Sequence, residues 1–203
     1  MKRRAYQLLF IISLLSNSVL AQWEMVGNAN YNWGPFDVYT MGLYTENGEY
    51  SEGDRPLLLS FKYNKPIEGR SFAITLIKEI KSLGYKEDFD KRLKQLQNIF
   101  PDFSPNDVLN YIALKDKGYF ILNDSILNLE FETSFNQAFL GIWLSQNSHF
   151  SKIRTQLIGK EKNTHSNQEN LFYDPEIKQL NEEDNAPQLP PNFQFENKDQ
   201  DYS

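Results

Sequence analysis

The sequence of 203 residues contains no cysteine and only two histidines, His149 and His165. The absence of cysteine excludes disulfide bonds, thiolate metal ligands and a lipid-modified cysteine behind a leader peptide. Neither histidine stands in a metal-binding motif, and no nucleophile elbow or phosphate-binding glycine loop is present. We therefore predict a fold held by its hydrophobic core, with no metal, no other cofactor and no catalytic residue recognisable from a motif.

Positive charge is also scarce. The chain has 21 Lys and Arg residues against 27 Asp and Glu residues, which gives a net charge of −6. Removing the three basic residues at positions 2–4 takes this charge from −6 to −9. The sequence shows no basic patch with interleaved aromatic residues, so nucleic acid is not an expected partner. An acidic surface also disfavours binding to anionic membranes.

The first residues have the pattern of a secretory signal peptide. Basic residues at positions 2–4 precede a short apolar run, Leu8–Leu15, and small residues lead up to Ala21. The apolar run is shorter than the roughly 20 residues that span a bilayer. We predict a signal peptide over 1–21, cleaved near Ala21, and a periplasmic or secreted protein with no integral membrane segment after cleavage. An uncleaved anchor is the alternative.

The last part of the chain differs in composition from the rest. Residues 160–203 are rich in Asn, Gln, acidic residues and Pro, and they show no hydrophobic periodicity. This composition predicts a disordered acidic tail, and the folded domain is predicted over 22–159. Two small apolar groups in the tail, 171–173 and 193–195, are candidates for docking on another surface.

Between these ends, hydrophobic periodicity and turn residues predict an α+β fold. Strands are expected first, then two helices, three further strands and two final helices. The order predicts an antiparallel β-sheet with helices layered on one face. The predicted strands cover 23–33, Phe36–Tyr44, Leu57–Tyr63, 108–114, 119–122 and 126–131, and the predicted helices cover 69–83, 88–100 and two stretches within Ser134–Gly159.

Several local features refine this prediction. Ser134 and Gln137 have the spacing of a capping box, which predicts the start of the third helix. Ser148 is a candidate cap for the fourth helix. Gly141, inside the third helix, predicts a close approach to another backbone. Gly118 lies in a predicted hairpin loop, where a positive φ is expected.

Aromatic residues are the most suggestive candidates for a binding site. Tyr39 and Tyr111 lie on predicted strands, while Phe139 and Trp143 lie on the apolar face of the third predicted helix. A sheet face lined by Tyr and Phe beneath helices is a plausible apolar pocket. Ordinary core packing is the alternative interpretation of the same residues.

Four stretches of the chain have the order and spacing of a known family. The stretches are VGNANYNWGPFDVYTMGLY at 26–44, PLLLSFKY at 56–63, FPDFSPNDVLNYIAL at 100–114 with GYFILND at 118–124, and FNQAFLGIWLS at 135–145 with the turn that ends at Gly159. Together they cover about 23–159 and resemble the chalcone isomerase-like proteins of bacteria. The resemblance implies a large antiparallel sheet with helices on one face, enclosing a cleft.

The resemblance also implies where catalytic residues would stand. Plant members of the family close a chalcone to a flavanone, using Arg and Thr from the early strands and Tyr and Asn from the first long helix. Aligned on family glycines, this sequence has Tyr39 at the Thr, Phe72 at the Tyr and Glu79 at the Asn. It has no arginine between Trp23 and Tyr44. The same Arg and Tyr hold the carboxylate in fatty-acid-binding relatives. Their absence here therefore weakens the expectation of chalcone cyclisation and of fatty-acid binding alike.

These observations predict an exported, non-catalytic chalcone isomerase-like protein that binds a small apolar ligand such as a fatty acid. The predicted ligand-binding residues are Tyr39, Tyr111, Phe72, Phe139 and Trp143. Two alternatives stay open: an interaction or scaffold protein whose core fills its own cleft, and an isomerase of the intramolecular lyase type with an unknown substrate. An empty cleft with a convergent polar group would favour the carrier, and a filled interior would favour the interaction protein.

Overall fold

The computed structural model describes residues 23–85 and 89–162. The predicted signal peptide and residues 163–203 of the predicted tail lie outside these described residues. Within them, no helix is both long enough and apolar enough to cross a membrane. The elements in chain order are β1 (Glu24–Trp33), β2 (Phe36–Thr45), β3 (Leu57–Tyr63), α1 (Gly69–Ser82), α2 (Asp90–Ile99), β4 (Val108–Ala113), β5 (Lys117–Leu122), β6 (Ser125–Glu132), α3 (Thr133–Leu144) and α4 (Ser151–Leu157).

The six strands form one antiparallel sheet in the order β1-β2-β3-β4-β5-β6. The register places Leu43, Leu59, Tyr111 and Phe120 opposite one another across four strands. Because side chains alternate between the two faces of a strand, this row shares one face. The α+β fold predicted from the sequence is therefore confirmed.

The helices cover this face and enclose the main core. Nine of the twelve residues of α3 are buried. A helix that is buried nearly all round must contact other elements on several sides, and α3 contacts the sheet, α1 and α4. This central position of α3 explains why its sequence is apolar beyond a single stripe.

A second cluster of buried side chains lies on the opposite face of the sheet. Leu58 and Ile112 are its central members, and they alternate with Leu59 and Tyr111 of the first face. A strand that is buried on both faces has a nearly continuous apolar sequence. This explains the sequence LLLSFKY of β3.

Two of the predicted helix caps are wrong. α3 begins at Thr133 after Glu132, with no side-chain cap, and the Ser134 hydroxyl donates to the Glu132 carboxylate at 3.4 Å. The hydroxyl of Thr133, the first residue of α3, donates instead to main-chain carbonyls of the β4–β5 turn. α4 begins later than predicted because the Ser148 hydroxyl donates to the carbonyl of Ile142 and accepts the N–H of Phe150.

Two glycines also act differently from the prediction. Gly118 lies inside β5 without a positive φ, and a Cβ there would stand 2.2 Å from Asn136 Oδ1 and 2.4 Å from the Tyr111 hydroxyl. At Gly141 the nearest atom to an added Cβ is the Tyr85 hydroxyl, at 2.8 Å. Both glycines therefore make room for side chains, and neither the predicted loop conformation nor the predicted backbone approach is present.

Candidate functional site

The structure places all five predicted ligand-binding residues in the main core beneath the helices. Tyr39 lies on β2, Tyr111 on β4, Phe72 on α1, and Phe139 and Trp143 on α3; each is 7% exposed or less. The structure thus brings these five residues into one core cluster. Whether they contact a ligand stays a prediction.

Phe61, a residue of β3 that the sequence did not single out, joins four of the five. Its ring centroid lies 4.9 Å from that of Trp143, 5.8 Å from Tyr39, and 6.3 Å from both Phe72 and Phe139. Most of these pairs meet edge to face, which is a favourable arrangement for aromatic rings. The predicted binding residues are thus packed directly against one another around Phe61.

Tyr39 is held between rings. It stacks on Tyr31 with centroids 4.7 Å apart. Burial, and then the neighbouring Tyr31, raise the pKa of the Tyr39 hydroxyl far above its ordinary value, and the indole of Trp143 opposes this. The hydroxyl is therefore neutral at any physiological pH, and Tyr39 is not suited to act as a general base.

Tyr111, the other predicted polar anchor, already has a partner. Its hydroxyl donates to the side-chain oxygen of the buried Asn136. The Asn136 amide nitrogen donates to the carbonyls of Leu114, at 3.1 Å, and Lys117, at 3.0 Å. This network attaches α3 to the β4–β5 turn, so both side chains act first in holding the fold. The polar pair Asn136 and Gln137 within the stretch FNQAF was the only sequence signal for it.

A separate cavity of about 440 Å³ lies between α3 and the segment 50–55 that precedes β3. Leu140 and Leu144 of α3 give it an apolar wall, and Arg55 gives it a cationic group. None of the five predicted residues lines it. Its lining residues are Tyr50, Glu52, Gly53, Arg55, Tyr85, Lys115, Thr133, Asn136, Gln137, Leu140, Gly141, Leu144 and Ser145.

Tyr85, which follows the end of α1, forms one side of this cavity. Its hydroxyl donates to the main-chain carbonyl of Gln137 at 3.1 Å. The ring can approach α3 because Gly141 has no side chain. A glycine in the middle of a helix costs about 1 kcal/mol relative to alanine, and here it permits the contact that shapes the cavity.

Arg55 is half-buried in the cavity wall. Its Nη1 donates to the carbonyl of Asp54 at 2.6 Å. Among residues 23–85 and 89–162 it forms no ion pair with a carboxylate. Burial lowers the pKa of the guanidinium, while Tyr50, Tyr111 and Asp54 oppose the shift. An arginine stays charged under these conditions, so the cavity contains a cation that forms no ion pair with a described carboxylate.

A second, shallower depression of about 340 Å³ lies beside the positions that align with the plant catalytic residues. Tyr31 and Phe150 line it, with ring centroids 5.9 Å apart, and Tyr39 is stacked beneath Tyr31. Glu79, at the position of the catalytic Asn, lies 3.3 Å from the imidazole of His149. The rings of Tyr31 and Tyr39 lie between this depression and the core. In the described part of the chain, no group of three or more His, Asp or Glu side chains is placed to hold a metal ion.

The six-stranded antiparallel sheet with four helices defines the class of the protein as a two-layer α+β domain whose helices enclose an aromatic core. A family model described as chalcone isomerase-like matches residues 33–159. A protein of Haemophilus influenzae named "Uncharacterized protein" is 55% identical over 184 residues, which cover 90% of this chain and 91% of that protein. This chain belongs to the chalcone isomerase-like family.

Proposed function

We propose that this chain is an exported, non-catalytic chalcone isomerase-like protein that binds a small ligand in the cavity beside α3. The observation that carries the proposal is the contrast between this cavity and the interior. The half-open cavity has about 440 Å³ of space with both apolar and polar lining residues, and this volume falls in the range of small-molecule sites. The interior, where the cleft was predicted, holds aromatic rings in mutual contact.

A ligand in the interior would have to displace rings that now pack on one another. Loss of a buried Phe side chain from a core costs about 3–5 kcal/mol, and an entering ligand would have to offset a cost of this kind. A ligand in the cavity displaces only water. This difference favours the cavity over Tyr39, Phe72 and Trp143 as the primary binding site.

The non-catalytic part of the proposal rests on the residues at the positions of the plant catalytic machinery. Tyr39, Phe72 and Glu79 replace Thr, Tyr and Asn, and neither β1 nor β2 carries an arginine to stabilise an enolate. We expect the purified protein to leave the spontaneous cyclisation rate of naringenin chalcone unchanged. Turnover above that rate would show that catalysis is retained.

Native mass spectrometry of the protein purified from a bacterial periplasm, followed by organic extraction, tests ligand binding directly. We expect a bound small molecule at near one per chain, and an intact mass that reports cleavage near Ala21. Gln137→Trp, which places a large ring at the cavity mouth from an exposed position, should remove the molecule. Lys94→Trp, on the exposed face of α2, is the matched control.

A clean apo mass that does not change when fatty acids are added would contradict the ligand proposal. Retention of the molecule by Gln137→Trp would place the site elsewhere, and the predicted interior residues would then be the next candidates. Retention of residues 1–21 in the exported protein would contradict cleavage and favour the uncleaved anchor.

A second candidate function is interaction with another protein. The filled interior favours it by the criterion given for the sequence, and so does a specific surface feature. Trp33 is 73% exposed and Phe36 is 56% exposed, and they flank the Gly34-Pro35 turn at the tip of the β1–β2 hairpin. Aromatic residues are enriched in protein contact surfaces. The double variant Trp33→Ser, Phe36→Ser should then lose cross-linking to a periplasmic partner while keeping the ligand. Unchanged cross-linking would exclude the hairpin tip.

A further inference from the structure

Within the described part of the chain, Arg55 makes fewer side-chain hydrogen bonds than Arg92 and, unlike Arg154, bonds only to the residue beside it in the chain. Arg92 is bonded to the carboxylate of Glu132 and to Gln95 at 2.8 Å, and Arg154 donates to a carbonyl of α3 at 2.8 Å. Arg55 makes one hydrogen bond, to the carbonyl of its own neighbour, although a guanidinium has five N–H donors. Most of its donors are therefore left for another group.

The main chain of Arg55 lies next to the sheet. The next residue but one, Leu57, begins β3 and pairs with Ala113 of β4. Arg55 itself belongs to the irregular segment 50–55, and its guanidinium lines the cavity. A partly desolvated charge without an ionic partner costs free energy, and an anionic ligand would recover it.

The rest of the cavity sets limits on the ligand. Leu140 and Leu144 offer an apolar wall, so a ligand needs an apolar part as well as a charged one. Glu52 is the carboxylate in the lining and disfavours a ligand of high negative charge, while Lys115 adds a second cation. Tyr50 and Asn136 add neutral polar surface. A small amphipathic acid matches this set of groups.

We propose that Arg55 binds the anionic group of a small organic acid, a carboxylate or a phosphate monoester, whose apolar part lies against Leu140 and Leu144. The proposal rests on the function proposed above and names the ligand class of that site. It differs from the positions implied by the family resemblance, because Tyr39, Phe72 and Glu79 do not line this cavity.

Isothermal titration of the full chain with octanoate, octyl phosphate and octanol tests the charge requirement. Charge-assisted hydrogen bonds from arginine to carboxylate or phosphate are strong and often bidentate. We expect at least one of the two acids to bind at least tenfold more tightly than octanol. The acid that binds more tightly identifies which anionic group the site prefers.

Arg55→Gln should lower the affinity for that acid at least tenfold and leave the affinity for octanol unchanged. Arg55→Lys should keep part of the affinity for the acid. Arg70→Gln, an exposed arginine of α1, is the matched control. Unfolding curves check that each variant is folded. Gln137→Trp provides a second test with Arg55 intact and should also abolish acid binding.

Equal binding of octanol and the acids, or unchanged acid affinity in Arg55→Gln, would overturn the role of Arg55. So would failure of both acids to bind. The proposed function would survive either result if organic extraction still yields a neutral molecule that Gln137→Trp removes. It would fail together with the inference if extraction and titration both show no ligand.

Discussion

The buried network of Tyr111 and Asn136 allows a quantitative prediction. Tyr111→Phe removes one hydroxyl and leaves the side-chain oxygen of Asn136 buried without its donor. A buried polar group that loses its partner costs about 1–3 kcal/mol. We therefore expect Tyr111→Phe to lower the free energy of unfolding by about 1–2 kcal/mol, since the ring and its packing are kept.

Asn136→Leu should cost more, because it breaks three hydrogen bonds and places a branched side chain against Gly118. Two main-chain carbonyls and the Tyr111 hydroxyl would lose their donor or acceptor, which gives an expected loss of about 3–5 kcal/mol. The double variant Tyr111→Phe, Asn136→Leu should lose less unfolding free energy than the two single variants lose in sum, because each substitution removes the same hydrogen bond.

Urea unfolding monitored by tryptophan fluorescence measures these differences, and Tyr63→Phe is the control. The Tyr63 hydroxyl is buried and has no hydrogen-bond partner among the described residues. Its ring stacks on Phe103 with centroids 4.4 Å apart, and this contact survives the substitution. Tyr63→Phe should thus be neutral or stabilising. If Tyr111→Phe costs no more than Tyr63→Phe, the reasoning about the network is refuted.

Three further predictions follow from other contacts. Phe61→Ala should lower the free energy of unfolding by about 3–5 kcal/mol in urea, whereas a loss below about 1 kcal/mol would show that the core collapses into the space. Gly27→Ala should destabilise the protein and loosen α4 in hydrogen exchange, because a carbonyl of α4 lies 2.2 Å from the site of an added Cβ; unchanged exchange would contradict this. Burial, the largest single influence, raises the pKa of Glu132, but the hydrogen bond and charge of Arg92, a main-chain hydrogen bond and the Ser134 hydroxyl together outweigh it, so the net pKa is lowered. The contribution of Glu132 to stability is therefore present above the unfolded-state pKa and lost as pH falls through the folded-state pKa. Glu132→Gln should flatten the acid limb of the stability profile more than Glu130→Gln, and equal slopes would refute the assignment.

Much of the fold was predictable because its elements carry strong local patterns. β2, β3 and β4 agree with the predicted strands to within one residue, since apolar residues and turn residues mark their ends. The caps of α3 and α4 were not predictable, because Ser134 and Ser148 have good capping spacing but bond instead to groups that precede them in the chain, the Glu132 carboxylate and the Ile142 carbonyl. Propensity at a helix end is outweighed when such a contact is available.

The burial of the predicted site residues followed from the sequence, while their binding of a ligand stays a prediction. Periodicity placed Phe139 and Trp143 on an inward face, and the structure brings them to Phe72 and the sheet tyrosines through Phe61. The cavity at Arg55 could not be found this way. It depends on a polar segment without periodicity, on Tyr85 at the end of a helix, and on α3, which are far apart in the chain.

The simple strand order of the sheet has a consequence for how the chain folds. All five strand pairs join neighbours in sequence, and four of the connections have eleven residues or fewer. The exception is β3 with β4, where residues 64–107, including α1 and α2, form the connection. Loop-closure entropy grows with the length of the loop, and long-range pairing slows folding. The sheet thus consists of two local three-strand units, and their joining is the entropically costly step. Substitutions at the β3–β4 contact, such as Leu109→Ala opposite Phe61, should therefore slow refolding more than comparable changes within β5 and β6.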